Sequence, residues 1–183
     1  MDLVVLGALE YSSFAMGIKA LDEMVKVAPI HIIDARTISS GKYLILFSGD
    51  VASTEYSFHK GFEIGAEYIV DSLFLPMIHP EVIPAIGNTI PTAEWGTIGI
   101  IETLSIVSAI EAADRAAKAG GVNIIEIRLA NGFGGKSYVK MMGTLDAMEA
   151  AMEAGTEFAK NKNLLCMDII IPHPHGEIKQ YFM

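Results

Sequence analysis

The chain has little of what several protein classes need: one cysteine in 183 residues, 19% charged side chains and few long apolar runs. The single cysteine, Cys166, excludes an intrachain disulfide and fits a reducing compartment. A net charge of −9 disfavours an extended contact with nucleic-acid phosphates. No apolar stretch reaches the roughly 18 residues that cross a membrane, and Asp2 stands where a secretory signal has a basic region. We expect a soluble cytoplasmic protein with no nucleic-acid or membrane partner.

What the chain does contain is a second copy of its own pattern. In the first copy the repeated residues are Gly7, Glu10, Ser13, Ile18, Ala20, Asp22, Lys26, Ile32, Ile33 and Arg36. Their partners, 92 positions later, are Gly99, Glu102, Ser105, Ile110, Ala112, Asp114, Lys118, Ile124, Ile125 and Arg128. The offset becomes 94 from Lys42 and 96 by Pro76. A period this long exceeds that of solenoid repeats, so each copy is expected to be a whole small domain.

The predicted organisation is a first domain at 1–86, a linker at 87–95 and a second domain at 96–183. Gly, Pro and small polar residues mark the linker. Two domains of this size bury little surface alone, and 51% of the residues are hydrophobic. We therefore expect apolar surface to be spent on neighbouring subunits.

Each copy has the same predicted order of elements: strand, helix, strand, strand, helix, strand. In the first copy, Ser12 or Ser13 caps a helix that runs to about Ala28, and Asp50 caps the second helix. The apolar positions Phe14, Ile18, Leu21, Val25 and Ala28 form one stripe along the first helix. The order predicts an α+β fold: two tandem ferredoxin-like (split βαβ) domains with antiparallel sheets and helices on one face.

Three motifs suggest chemistry, and each is better explained as structure. ANGFGGKS, at 130–137, fits a loose phosphate-loop pattern, but an extended segment follows it where a helix is needed. Glu10 and Glu102 end matching strands, and a hydrogen bond to the following turn explains both.

The histidines His79, His173 and His175 lack a carboxylate or thiolate cluster at ligand spacing. We therefore expect no metal site and no cofactor. There is no nucleophile–base signature either, and the protein is predicted not to be an enzyme.

The repeated stretches resemble a known family. The sequence is similar to bacterial microcompartment (BMC) shell proteins of the tandem-domain, trimer-forming type, in the unpermuted strand order and over nearly the whole chain. Within that type it is most similar to a shell protein of propanediol-utilising compartments. The similarity is carried by GALEYSSFAMGIKALDEMVKVAPI, RTISSGKYLILFSGDV, GIIETLSIVSAIEAADRAAKAGGV, GFGGKSY and IPHPHGEI. The resemblance implies a structural shell tile: a homotrimer that forms a pseudohexagon and meets other shell proteins at its edges, around encapsulated enzymes.

The resemblance also implies a central pore for polar metabolites, lined by the turn between the second and third strands. That turn is Ser39, Ser40 and Gly41 in the first copy and Asn131, Gly132, Phe133, Gly134 and Gly135 in the second. Glycine permits close backbone approach, while hydroxyl, amide and N–H groups can hydrogen-bond a polar solute. The tile edge is expected at Lys26, Lys118, His79, His173 and His175.

Two departures from the family pattern bear on function. Ser39 replaces a cysteine that helps three subunits hold an iron–sulfur cluster, and a protonated hydroxyl is a poor substitute for a thiolate. Cys166 lies in an apolar strand, where a buried and inert thiol is expected. The family's edge arginine is also missing, with His173 and Met77 in its place. Two alternatives stay open: a tile with a redox metal centre in its pore, and a tandem ligand-binding regulatory protein.

Overall fold

Each repeat folds as strand, helix, strand, strand, helix, strand, in the predicted order. The computed structural model describes residues 5–92 and 94–183. The first repeat consists of β1 (Leu6–Tyr11), α1 (Phe14–Val27), β2 (His31–Ile38), β3 (Lys42–Ser48), α2 (Val51–Gly65) and β4 (Ile69–Leu75), followed by the one-turn α3 (Val82–Ala85). The second consists of β5 (Thr97–Thr103), α4 (Ile106–Gly120), β6 (Asn123–Arg128), β7 (Ser137–Gly143), α5 (Leu145–Asn161) and β8 (Leu165–Ile171), followed by the one-turn α6 (Lys179–Phe182).

The strands form two antiparallel sheets of identical topology, ordered β2-β3-β1-β4 and β6-β7-β5-β8. Even the irregularities repeat. The pairing of β2 with β3 is interrupted between Ile32 and Asp34, and that of β6 with β7 between Ile124 and Glu126, exactly 92 positions later. The predicted α+β fold with two tandem split βαβ domains is confirmed.

Side-chain caps start the four long helices. Ser13 and Asp50 accept hydrogen bonds from the N–H groups of Met16 and Ser53, at 3.3 Å and 2.8 Å, as the sequence predicted. Ser105 and Thr144 cap α4 and α5 in the same way. These bonds satisfy N–H groups that the first helical turn leaves without a partner.

The chain divides into two packed units whose limits differ from those of the repeats. Unit 1 holds the described residues up to Ile78 together with Ala130–Gly135, and unit 2 holds His79–Leu129 and Lys136–Met183. In unit 1, Leu9, Met24, Ile45 and Phe47 are fully buried between the sheet and its helices. The predicted domain limits at 86 and 96 follow the sequence repeat and do not coincide with the limits of the packed units. They stay a prediction.

The segment expected to be a linker extends the second sheet. The N–H groups of Gly87 and Ile90 donate to the carbonyl oxygens of Ile127 and Ile125, each at 2.8 Å, so the segment lies along the outer edge of β6. Trp95 anchors the segment's end, because its indole N–H donates to the Pro174 carbonyl at 3.2 Å.

The apolar stripe on α1 is largely exposed. Gly17, Ala20 and Met24 form the buried face of this helix, while Phe14 and Ile18 lie beside that face in solvent. Among residues 5–92 and 94–183, no helix is both long and apolar enough to span a bilayer.

Candidate functional site

The turn between β2 and β3 is short and polar. Ser40 and Gly41 are exposed and Ser39 is half-buried. Gly41 has φ 79°, in the left-handed region where a side chain would be strained. The turn therefore presents two hydroxyl groups and accessible backbone close to each other.

The equivalent turn between β6 and β7 has two extra residues between the repeated positions Arg128 and Lys136. Gly132, Gly134 and Gly135 all have positive φ, at 72°, 61° and 83°, so glycine is needed at each. Asn131, Gly132 and Gly134 are exposed, Phe133 is half-buried and Gly135 is buried. This turn offers an amide side chain and exposed peptide groups.

Within unit 1 the two turns contact each other. The N–H of Gly132 donates to the hydroxyl oxygen of Ser39 at 3.0 Å. The ammonium group of Lys42 donates to the Gly135 carbonyl at 3.3 Å, and a Cβ added to Gly135 would lie 3.3 Å from the Ser39 carbonyl oxygen. The eight residues predicted to line a pore thus belong to two turns that share hydrogen bonds.

A buried ion pair supports this pair of turns. Glu10 on β1 is fully buried and lies 2.7 Å from the ammonium group of Lys42, whose side chain is 16% exposed. Lys42 also bonds the Gly135 carbonyl, so it connects the carboxylate to the second turn. In unit 2 the repeat places Glu102 3.3 Å from Lys136, with side chains 30% and 41% exposed.

The two glutamates therefore pair with lysines, whereas a hydrogen bond to the turn was expected. Lys42 and Lys136 support the turns and were not predicted as site residues from the sequence. The available signal was their own recurrence at an offset of 94, at the first position of β3 and beside the start of β7.

The donor set of the first turn does not fit an iron–sulfur cluster. Ser39 supplies a hydroxyl oxygen that already accepts a hydrogen bond from Gly132, and neutral oxygen is a poor ligand for a cluster held by thiolates. Cys166 lies on β8 and belongs to unit 2. The expectation that Cys166 is buried is wrong. The thiol is half-buried, since β8 is an edge strand, and partial desolvation raises its pKa.

The phosphate-loop pattern lacks the helix that its chemistry requires. The residues after Lys136 form β7, so the loop leads into a strand and not into a helix N-terminus. Lys136 pairs with Glu102, and the Ser137 hydroxyl donates to the Arg128 carbonyl. The structure therefore explains this motif as a turn leading into a strand.

Two of the predicted edge residues meet on one carboxylate in unit 2. Asp114 accepts a bond from the ammonium group of Lys118 at 2.6 Å and another from the backbone N–H of His79 at 2.7 Å. In unit 1 the equivalent Lys26 bonds Asp22 at 2.5 Å. That bond, followed by a weaker one to Glu23, raises the pKa of Lys26.

The two remaining edge candidates lie on the segment after β8. His173 and His175 are both exposed. The ring Nδ1 of His175 accepts a hydrogen bond from the Glu177 N–H at 3.3 Å, which stabilises a turn. Within the described ranges, no group of three or more His, Cys, Asp or Glu side chains is arranged to hold a metal ion.

Comparison with known proteins adds an independent line of evidence. Residues 5–78 and 97–174 each match the family described as BMC domain. The chain is similar to the bacterial microcompartment shell protein PduT of Citrobacter freundii, with 37% identity over 93% of this chain and 92% of PduT. It is also similar to the shell protein EutM of Salmonella typhimurium, with 33% identity over 46% of this chain and 86% of EutM.

A solved structure agrees over nearly the full length. A microcompartment protein from Desulfitobacterium hafniense has a TM-score of 0.83 and 39% identity, and the alignment covers 97% of this chain and 99% of that protein. The likeness therefore extends to both repeats and to their arrangement along the sequence.

Proposed function

Because the chain belongs to the BMC domain family, whose members compared above are microcompartment shell proteins, we propose that it is a structural tile of a bacterial microcompartment shell. Three chains supply six BMC domains and close into a flat pseudohexagon. The observation that carries this proposal is the presence of two complete BMC domains in one chain. Closed rotational symmetry is the usual way in which identical subunits satisfy every contact surface.

The same proposal assigns the pore to the two turns that contact each other in unit 1. Ser39–Gly41 and Asn131–Gly135 would alternate around the axis and present hydroxyl, amide and peptide groups to a polar metabolite. The hydrogen bond between Gly132 and Ser39 and the support from Lys42 favour a rim of defined shape. Such a rim recognises solutes by hydrogen bonding rather than by net charge.

Other shell proteins are the proposed partners at the tile edge, and encapsulated enzymes are the proposed contents. The ammonium groups of Lys26 and Lys118 are suited to lateral contacts, because each can donate several hydrogen bonds. The Lys26 group is exposed, and the Lys118 group bonds Asp114. We propose no catalytic role for the chain.

Light scattering combined with electron microscopy tests the tile. Dilute purified protein is expected to have the mass of three chains, and concentrated protein is expected to form hexagonally patterned sheets. A stable monomer at micromolar concentration would contradict the proposal.

Iron analysis separates this tile from one with a redox centre. The purified protein is expected to be colourless and free of iron, because Ser39 supplies no thiolate. Ser39→Cys would place one thiolate per chain around the axis. Anaerobic reconstitution of an iron–sulfur cluster in this variant and in the unmodified chain is the matched comparison. Stoichiometric iron in the unmodified protein would contradict the prediction.

A thermal-shift screen with nucleotides tests the regulatory alternative. Stabilisation by a nucleotide would favour that alternative.

A further inference from the structure

Two turns of this chain have the same sequence pattern and the same geometry. His79 and Glu81 recur as His175 and Glu177, 96 positions later. In each turn the histidine Nδ1 accepts a hydrogen bond from the glutamate N–H, at 3.4 Å in the first and 3.3 Å in the second. A short helix follows each turn, α3 in one case and α6 in the other. We name them the first turn and the second turn.

The first turn is held on unit 2 by two hydrogen bonds that run in opposite directions. Its His79 N–H donates to the Asp114 carboxylate on α4 at 2.7 Å. Its Glu81 carboxylate accepts a bond from the Ile124 N–H on β6 at 3.0 Å. Ile124 adjoins the irregularity of β6, where a backbone N–H is released from pairing within the sheet. The turn therefore docks at the place where a helix and a strand edge meet.

The second turn is exposed. His175 and Glu177 both face solvent, as do the two apolar side chains that follow them. Ile178 is 38% exposed and Tyr181 is 81% exposed, whereas the equivalent Val82 and Ala85 of the first turn are fully buried. The side chains that the first turn buries are thus exposed in the second.

The second turn is also preformed. Trp95 fixes both ends of the segment, since its indole N–H bonds the Pro174 carbonyl and its ring packs edge-on against Phe182 at 6.2 Å. The Lys179 ammonium group lies 5.8 Å from the centre of the same ring. A segment held in shape before it binds loses little conformational entropy on docking.

Unit 1 carries the equivalent of the surface on which the first turn docks. Asp22 on α1 corresponds to Asp114, and Ile32, beside the irregularity of β2, corresponds to Ile124. Asp22 also holds Lys26 as Asp114 holds Lys118. The difference is exposure: the Asp114 side chain is 3% exposed and the Asp22 side chain is 58% exposed.

The helix beside this surface is apolar and uncovered. Phe14 and Ile18 on α1 are 53% and 41% exposed, whereas the equivalent Ile106 and Ile110 on α4 are fully buried. Unit 1 thus exposes Asp22, the equivalent of the carboxylate that binds the first turn, beside exposed apolar side chains. Unit 2 exposes the second turn, which carries the same histidine and glutamate as the first.

We propose that the second turn of one chain docks on α1 and β2 of a second copy of this chain. The His175 N–H donates to Asp22 of the partner copy, and Glu177 accepts a bond from the N–H of Ile32 of the partner copy. This contact places His175 inside the proposed trimer, whereas the family resemblance implied the tile edge. Ile178 covers apolar surface next to these bonds. The inference rests on the proposed trimer, because one turn and one receiving surface per chain give a head-to-tail contact that three chains close into a ring.

A pair of substitutions at one position tests the backbone donor. His175 has φ −65°, which proline adopts without strain, so His175→Pro removes the N–H while keeping the backbone geometry. His175→Ala is the matched control, because it removes the ring and keeps the N–H. Analytical ultracentrifugation of the full chain is expected to show trimers that dissociate at least about tenfold more readily for His175→Pro than for His175→Ala.

A second pair tests the acceptor on the partner copy. Asp22→Ala is expected to weaken the trimer by a similar factor, whereas Glu23→Ala, which removes the other carboxylate beside Lys26, leaves it unchanged. The Asp22→Ala and His175→Pro effects should also be non-additive, because either substitution removes the same bond. Circular dichroism checks that every variant is folded.

The outcomes separate the two levels of the proposal. Weaker and coupled trimers for Asp22→Ala and His175→Pro support the docking. Trimers of unchanged affinity for both variants overturn it and leave the proposed tile intact. A monomeric unmodified chain overturns the tile itself.

Discussion

The ion pairs Glu10–Lys42 and Glu102–Lys136 join equivalent elements of the two repeats but differ in their surroundings. The first carboxylate is completely buried and 2.7 Å from its lysine, while the second is 30% exposed and 3.3 Å away. The same contrast separates Asp114 from Asp22. The two repeats therefore share their local structure and differ in which surfaces are covered. A carboxylate at the same position of the fold is therefore buried with its lysine in one repeat and exposed to solvent in the other.

Replacing the lysines is expected to give the largest difference between the repeats. Lys42→Met leaves the buried Glu10 carboxylate without its cation, which should lower the free energy of unfolding by about 3–5 kcal/mol. Lys136→Met acts on a solvated pair and should cost about 1 kcal/mol or less. Denaturant titrations of the two variants measure the difference. Equal losses would show that burial does not distinguish these pairs.

The equivalent glycines of β1 and β5 should differ by a smaller amount. A Cβ at Gly7 would overlap the rigid ring of Phe47, whereas a Cβ at Gly99 would meet the sulfur of Met148, which can move. Gly7→Ala is expected to cost about 1–3 kcal/mol and Gly99→Ala less than that. Thermal unfolding of both variants checks the order, which a more damaging Gly99→Ala would reverse.

Replacing Lys118 on α4 should lower stability, whereas replacing Lys26 on α1 should reduce the assembly of tiles into sheets. Lys118→Ala removes a partner of the buried Asp114 and is expected to cost about 1 kcal/mol. Lys26→Ala acts on a pair that is exposed in the single chain, so it should leave the free energy of unfolding unchanged while reducing sheet formation seen by electron microscopy. Light scattering checks that the trimer persists, because Lys26 also bonds Asp22 of the proposed docking surface. Because Lys118 also holds a buried carboxylate, Lys26 is the cleaner position for testing the edge. Normal sheets from Lys26→Ala would remove it from the proposed contact.

The smallest expected effect is the pH dependence of the stability that the Asp50 cap contributes. Hydrogen bonds from the hydroxyl and then from the N–H of Ser53 lower the pKa of Asp50. The cap therefore stabilises α2 fully above the unfolded pKa of about 4. This stabilisation decreases as the pH falls through the lower pKa of the folded state. Thr144 caps α5 without a charge. The stability difference between the natural chain and Asp50→Thr should therefore shrink below about pH 4. Thr144→Ser is the control, and its difference should not change with pH.

Local sequence signals were sufficient for the elements. The caps at Ser13 and Asp50 follow from residues within one turn of each helix start, and the structure confirms them. The repeat also predicted the shared topology. Family resemblance, rather than the residue pattern, supplied the shell and the pore turns.

Burial could not be predicted in the same way, because it depends on what packs against an element. The stripe on α1 looks like a core-facing surface, yet Ile18 is exposed while its equivalent Ile110 is buried. Cys166 lies in an apolar strand, and only the position of β8 at the sheet edge leaves it half-buried. Likewise, nothing in residues 87–90 indicates that they pair with β6.

The two extra residues in the turn between β6 and β7 have a consequence for how such a protein can change over time. The repeat offset grows from 92 to 94 between Arg36 and Lys42, where the short turn of one copy faces the longer turn of the other. In a hexagon of identical single domains, any mutation in this turn is copied six times around the opening. In the proposed tile of three fused chains the same mutation appears three times, so one turn can preserve the width of the proposed pore while the other adapts to a new solute.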